Sequence, residues 1–237
     1  MKCIYNKWSM VALSLWLISC FATGQTTITA FLPEVDTYLR FSPNVRLFFQ
    51  AKGYMEEGDL NHAQIGPSLQ FSMRPLERLK KITVFDLDDI KCMPVVLTVG
   101  YRYLPSTVQS DINRLQPIVL FHVPFPGSTL VTDRNRFDLD WSRATFNWTY
   151  RNRITAERRL TLHTYHPGPY AAAEFSYQSQ YSKWSNTRLF AGCLLPLSKH
   201  LQIDSYYEHV LNTGPHPNRK VNAAGLIMNL YFPPNGG

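Results

Sequence analysis

Arginine is the residue whose spacing first suggests chemistry in this chain. The tripeptide Arg-Asn-Arg occurs at 134–136 and again at 151–153, with acids close behind at Asp138, Asp140 and Glu157. Guanidinium and carboxylate form charge-assisted, often bidentate pairs, and a guanidinium cluster attracts anions. Catalysis would need other partners. The chain holds no Gly-x-Ser-x-Gly elbow, no His-Glu-x-x-His and no Walker loop. His163 and His166 stand three apart before Pro167, but no Cys or carboxylate completes a metal-ligand set. Ser205 and His209 come nearest to a nucleophile–base pair. Four positions apart on one strand they would be about 13 Å from each other, too far for a direct hydrogen bond. The reading is therefore no enzyme, no catalytic residue, no metal and no cofactor.

The elements that carry these residues alternate with period two. In Phe31–Phe41 the odd positions are Phe31, Pro33, Val35, Thr37, Leu39 and Phe41, while the even ones include Glu34, Asp36, Tyr38 and Arg40. The same rhythm returns at Val45–Lys52, Ile65–Met73, Val95–Tyr103 and, weakened by Pro117, at Leu115–Val123. It is cleaner in Val131–Trp141, Thr145–Leu160 and Tyr170–Tyr181, then in 188–195, 201–208 and 224–232. This makes eleven segments of roughly ten residues, the length of a tilted strand crossing a bilayer. Soluble strands are about half as long.

The fold class expected is all-β: an antiparallel up-and-down transmembrane β-barrel. Bacterial barrels of this kind have even strand numbers. The expectation is thus about twelve strands, the twelfth at Ile82–Leu87 beside a helical turn at Pro75–Lys81, with ten as the alternative. A soluble periplasmic β-sandwich alternates in the same way and is the rival architecture.

Residues 1–24 are read as a signal peptide, and residues 25–237 as a single barrel domain. Lys2 and Lys7 precede an apolar run from Trp8 to Ala22, and the small residues Ala22 and Gly24 follow. Leu17-Ile18-Ser19-Cys20 also resembles a lipoprotein box, which would anchor the chain at Cys20. Without residues 1–24 the formal charge falls from +7 to +5, since only Lys2 and Lys7 are lost. That is too weak to argue for nucleic acid. Cys92 and Cys193 remain, 101 positions apart; they form no disulfide framework and are expected as free thiols. Charged residues are only 17% of the chain and aromatics 14%, which excludes a disordered chain.

The polar face of these strands is expected to line the lumen. Its acids are Glu34, Asp36, Asp138, Asp140, Glu157, Glu174, Asp204 and Glu208. Its bases are Arg40, Arg46, Lys52, Arg102, Arg134, Arg136, Arg151, Arg153, Arg159 and Arg188. Near-balance of sign suits a narrow interior filled by salt bridges, because an unpaired buried ion is costly. On that reading Arg153→Leu strands a carboxylate. An anion-preferring pore is the functional alternative. Asn135 and Asn152 must then point outward, which is odd for lipid and would mark the headgroup zone.

Several stretches carry a resemblance. They are EVDTYLRFSPNVRLFFQ at 34–50, VGYRY at 99–103, TDRNRFDLDW at 132–141, FNWTYRNRITAERRL at 146–160, the stretch from Pro169 to His209, and VNAAGLIMNLYF at 221–232. In these the chain resembles the bacterial domain of unknown function 2490 family of predicted outer-membrane barrels. The resemblance implies a β-barrel in the Gram-negative outer membrane and no known activity. The partners expected are outer-membrane lipid and the outer-membrane assembly machinery, with no nucleic acid, and the barrel is expected to be a monomer. The role is structural or minor solute transport; the alternatives are a lipid-modifying outer-membrane enzyme and a soluble periplasmic lipoprotein.

Overall fold

The computed structural model describes residues 26–73, 87–107, 110–143, 145–215 and 218–232. The signal segment 1–24, with Cys20, lies outside these, as do Pro75–Lys81 and all of the extra strand expected at Ile82–Leu87 except Leu87. Among the described residues eleven strands form: β1 (Thr26–Ser42), β2 (Val45–Glu56), β3 (Asp59–Met73), β4 (Val95–Leu104), β5 (Ile112–Phe125), β6 (Thr129–Ser142), β7 (Thr145–Arg158), β8 (Gly168–Gln178), β9 (Lys183–Pro196), β10 (Leu201–Asn212) and β11 (Arg219–Phe232). Each coincides with one of the alternating segments seen in the sequence, although those expected at Thr145–Leu160 and Tyr170–Tyr181 run past the ends of β7 and β8. Tight turns join several of them. Glu57 (φ 52°) and Gly58 (φ 99°) both take the left-handed conformation that a two-residue hairpin needs.

The strands close into one barrel in chain order. Neighbours along the chain pair antiparallel, but β1 pairs with β11 in parallel, from Thr26 opposite Arg219 to Leu39 opposite Phe232. This corrects the expected twelve strands, the alternative of ten, and the wholly antiparallel ring. The reason is directional. A meander reverses at every step, so an odd number leaves its first and last strands pointing the same way. A parallel ladder then closes the ring without a further strand. Evenness is a habit of such barrels, not a requirement of hydrogen bonding.

The parallel seam also sets the two ends. Strands β1 and β11 both start at one mouth, here the entry mouth, and both finish at the other, the exit mouth. The described residues ahead of β4 stand at the exit mouth and include a 3-10 turn at Asp89–Cys92.

The barrel is apolar outside and polar inside. Phe31, Val35, Leu69, Phe71, Val99, Phe137, Ile154, Phe175, Leu189 and Leu226 are all exposed on the outer wall, whereas Arg102, Asp138, Glu174 and Ser176 are buried. One stretch of the interior departs from this. Beside the seam, Leu32, Val210, Val221 and Ala223 form a small apolar core, with Ile28, Ala30, Tyr54 and Tyr206 packed on it. Glycine makes room for the tyrosines. The Tyr206 ring lies over Gly225, its register partner, and a Cβ at Gly192 would stand 2.6 Å from the Tyr170 ring.

Candidate functional site

The interior of β5–β9 gathers the charged residues. Arg134 and Arg153 are register partners across β6 and β7, and so are Arg136 and Arg151. Four guanidiniums thus project into the barrel from two adjacent strands. Like charges placed opposite one another destabilise a sheet unless something stands between them. Two carboxylates do so.

Asp138, fully buried, is the first. It receives Arg136 through Nε at 2.7 Å and Nη2 at 2.9 Å, in the fork geometry of a bidentate pair. Arg151 Nε lies 2.9 Å from Asp138 Oδ2, the oxygen that also accepts from Arg136 Nη2, and Gln116 donates to Oδ1 at 2.9 Å. Glu174, also fully buried, comes from β8. Arg134 Nη2 is 2.7 Å and Arg153 Nε 2.9 Å from Glu174 Oε2, while Arg151 and Arg188 approach Oε1 at 3.6 and 3.7 Å. Arg188 continues to Glu208 at 3.0 Å. Arg114 holds Asp140 by two bonds of 2.6 and 2.8 Å and reaches Asp138 at 3.7 Å. The Arg153 guanidinium also stacks 3.9 Å above the Phe190 ring. Six arginines and four carboxylates therefore form one connected network.

The acids expected beside the Arg-Asn-Arg copies divide their work. Asp138 serves the doublet directly. Asp140 turns to Arg114, and Glu157 to Lys91 at 2.6 Å. Glu174 carries most of the doublet's compensation. Its place is legible only in the register, where it faces Arg153. The arrangement also corrects the expectation for Arg153→Leu: with Arg134 still at 2.7 Å, Glu174 is not stranded.

A second group lies on β1–β4. Lys52 Nζ is 2.8 Å from Glu34, and Gln50 also donates to Glu34. Asp36 sits two positions on, buried, with a long bond of 3.4 Å from the Tyr38 hydroxyl. Arg102, fully buried, makes no ion pair among the described residues. It donates instead to the Pro67 and Tyr101 carbonyls at 2.7 and 2.8 Å, to Ser68 at 2.8 Å and to Gln50 at 3.1 Å. Asp204 accepts from the Tyr170 hydroxyl at 3.0 Å rather than from a base.

The 3-10 turn fastens itself at the exit mouth. Arg46 donates to Asp88 at 2.7 Å and to Gln70 at 2.8 Å, and Arg40 pairs with Asp89. Ile90 is buried, and the His122 ring bonds the Met93 carbonyl at 2.7 Å. Burial alone would push the Asp88 carboxyl up; Arg46 and Lys91 outweigh it and hold the group below the usual carboxylate range. A small cavity of about 50 Å³ remains here, and Arg159 and His166 are among its walls. At the entry mouth a larger polar recess of about 290 Å³ opens, lined by Arg114, Asp140, Asn147, Thr149, Arg151 and Gln178 among others.

Sequence reasoning missed Arg114, Asp88, Asp89 and Lys91. Arg114 lay just ahead of a segment whose alternation Pro117 interrupts. The other three lie outside any strand, where alternation says nothing. It also missed the pair of Arg219 with Glu56 at the entry mouth. On the outer wall Ser205 and His209 are four positions apart on β10, and His209 Nδ1 engages Asn222 Oδ1 at 2.7 Å. Cys92 and Cys193 form no disulfide. Among the described residues no group of three or more His, Cys, Asp or Glu could hold a metal ion.

A family model described as "Protein of unknown function (DUF2490)" matches residues 94–221, just over half of the chain. The match runs from the start of β4 into β11 and includes both Arg-Asn-Arg copies, Asp138 and Glu174. No curated protein matches the chain.

Proposed function

The chain belongs to the DUF2490 family of proteins of unknown function, and from its barrel we propose that it is a Gram-negative outer-membrane protein whose lumen is plugged by paired charges. The role is structural, with at most slow passage of small solutes. The observation that carries this is the inversion of the wall. Phe71, Val99, Phe137, Ile154, Phe175 and Leu226 face outward and exposed, while Arg102, Asp138 and Glu174 are buried within. An apolar belt of that extent needs a nonaqueous neighbour. Strands of ten to seventeen residues are long enough to cross a bilayer at the usual tilt.

The plug reading rests on the network. An open channel needs a continuous aqueous path, and its lining charges are screened by water. Here the Asp138 and Glu174 carboxylates are fully buried under their arginines, and the 3-10 turn is held at the exit mouth by Arg40, Arg46 and Glu157. Arg114 and Arg151 are among the walls of the entry recess of about 290 Å³. No catalytic role is proposed. A hydrolase needs a nucleophile within hydrogen-bond reach of its base, and Ser205 is about 13 Å from His209 along a strand. Export through a cleaved signal at residues 1–24 belongs to this reading, and the assembly machinery recognises the aromatic pair Tyr231-Phe232 of β11.

Fractionation tests the location. The barrel should resist carbonate extraction and migrate anomalously on gels until heated; release by osmotic shock would reject the membrane reading. Planar-bilayer recording tests the plug. The expected result is no steady conductance. A stable, anion-selective conductance in the wild type would make the barrel a channel.

A further inference from the structure

Asn135 and Asn152, the middle residues of the two Arg-Asn-Arg copies, do not mark the ends of their strands. Asn135 is the seventh of fourteen residues in β6, and Asn152 the eighth of fourteen in β7. They are register partners on the outer wall. Together with Asp133 and Tyr150 they form a hydrogen-bonded quartet. Asp133 accepts from Asn135 Nδ2 at 3.0 Å and from Asn152 Nδ2 at 2.6 Å. Asn135 Oδ1 accepts from the Tyr150 hydroxyl at 2.6 Å and from Asn152 Nδ2 at 3.1 Å. Exposed Phe121, Phe137, Ile154 and Phe175 surround the quartet.

A carboxylate and two amides at mid-wall are costly against hydrocarbon. The internal bonds reduce that cost without removing it. Asn135 keeps one N–H, and Asn152 keeps its carbonyl oxygen. One is a donor and the other an acceptor, and they stand side by side. Hydrocarbon can satisfy neither. A cation could meet Asp133 but not both amides. A surface offering an acceptor beside a donor satisfies the pair, and the same patch on a second copy is such a surface. A two-fold axis parallel to the barrel and running between β6 and β7 sets Asn135 of one copy against Asn152 of the other, and the reverse. Because the strands tilt relative to that axis, the strands of the two copies cross there, and Asp133 of one copy is carried to the side, away from Asp133 of the other. Close approach is open beside the quartet, where Ala156 and Ala171 are exposed register partners. Small residues that admit a neighbour, together with polar residues that bond across, are the means by which membrane segments associate.

We propose that the outer wall of β6 and β7 is the contact face of a two-fold dimer in the membrane, held by reciprocal amide hydrogen bonds between Asn135 and Asn152. This replaces the monomer expected from the sequence, and it rests on the outer-membrane reading above. The test uses the full chain in lipid nanodiscs, after carbonate resistance has been checked on the same preparation. Native mass spectrometry should find the dimer in the wild type. Asp133→Leu, Asn135→Leu and Asn152→Leu together remove both asparagines without stranding the carboxylate they serve, and should weaken self-association at least tenfold while leaving heat-modifiable migration intact, since leucine suits lipid. A second measurement does not depend on these variants folding well. With Cys92 and Cys193 replaced by Ser, co-expressed Asn135→Cys and Asn152→Cys chains should cross-link to each other in membranes. A carbonate-resistant wild type that is monomeric at every concentration, or that pairs only with a different barrel, overturns the dimer and leaves the membrane reading standing. So does undiminished association of the leucine variant. Extraction by carbonate overturns both.

Discussion

Two parts of the barrel interior are closed by opposite means. Along β6–β8 the filling is ionic, with Asp138 and Glu174 buried under six arginines shared with β5 and β9. Beside the β1–β11 seam it is apolar, with Leu32, Val210, Val221 and Ala223 in contact and Tyr206 laid over Gly225. The contrast shows that a polar lumen is not a rule of such a barrel. A narrow interior must be filled, and any filling serves if its polar groups find partners. The ionic wall has long side chains on every strand, so it can span the lumen. The seam has a parallel ladder, whose slanted hydrogen bonds are slightly weaker per residue, and close apolar packing supports it there.

The two fillings should respond differently to substitution. The largest effect is expected on the ionic side at Glu174. Glu174→Leu leaves Arg134 and Arg153 without a carboxylate in a buried network, and should cost about 3–5 kcal/mol in urea unfolding from detergent or lipid. A loss under 1 kcal/mol would mean that water reaches these charges.

On the apolar side, Leu32→Ala should cost about 2–4 kcal/mol through the cavity it opens. That cost should persist in high salt, where an exposed ionic network would weaken. The Glu174→Leu cost should persist there too, because salt screens buried pairs little; a Glu174→Leu cost that shrinks with salt would show that water and ions reach the network.

Arg153→Leu sharpens the comparison within the ionic wall. Glu174 keeps Arg134 at 2.7 Å, so the loss is one ion pair and the stacking on Phe190. About 1–2 kcal/mol is expected. A cost equal to that of Glu174→Leu would show that the network depends on every member alike, not on its two central carboxylates.

The smallest effect is a pH dependence at the exit mouth. The folded pKa of Asp88 is depressed by Arg46 and Lys91. Its contribution is therefore present above its unfolded pKa of about 3.9 and is lost as pH falls through the lower folded value. Wild type should exceed Asp88→Asn in stability at pH 6, and the gap should close as the medium is acidified below pH 4. A gap that widens on acidification would contradict the ion pair with Arg46.

Much of this was readable before any coordinates. Alternation located all eleven strands, because a sheet with one apolar face writes its period directly into the chain. It also assigned Arg134, Arg136, Arg151 and Arg153 to one face, and Asn135 and Asn152 to the other. It could not reach Asp88, Asp89 or Lys91, which sit outside any strand. Strand count failed for another reason: the eleven segments were visible, and a rule of parity displaced them.

The order and facing of residues along each strand are local properties, so the amino-acid sequence alone determined which side chains enter the barrel. Which of them meet is a matter of register between strands, and that is not local. Glu174 faces Arg153 because β8 pairs with β7 at one particular offset; a two-residue slip would keep every side chain on its face and change every partner. Closure is equally nonlocal. Only the folded ring brings Thr26 beside Arg219, turning an odd number of strands into a barrel with one parallel seam, with the chain entering at one mouth and leaving at the other.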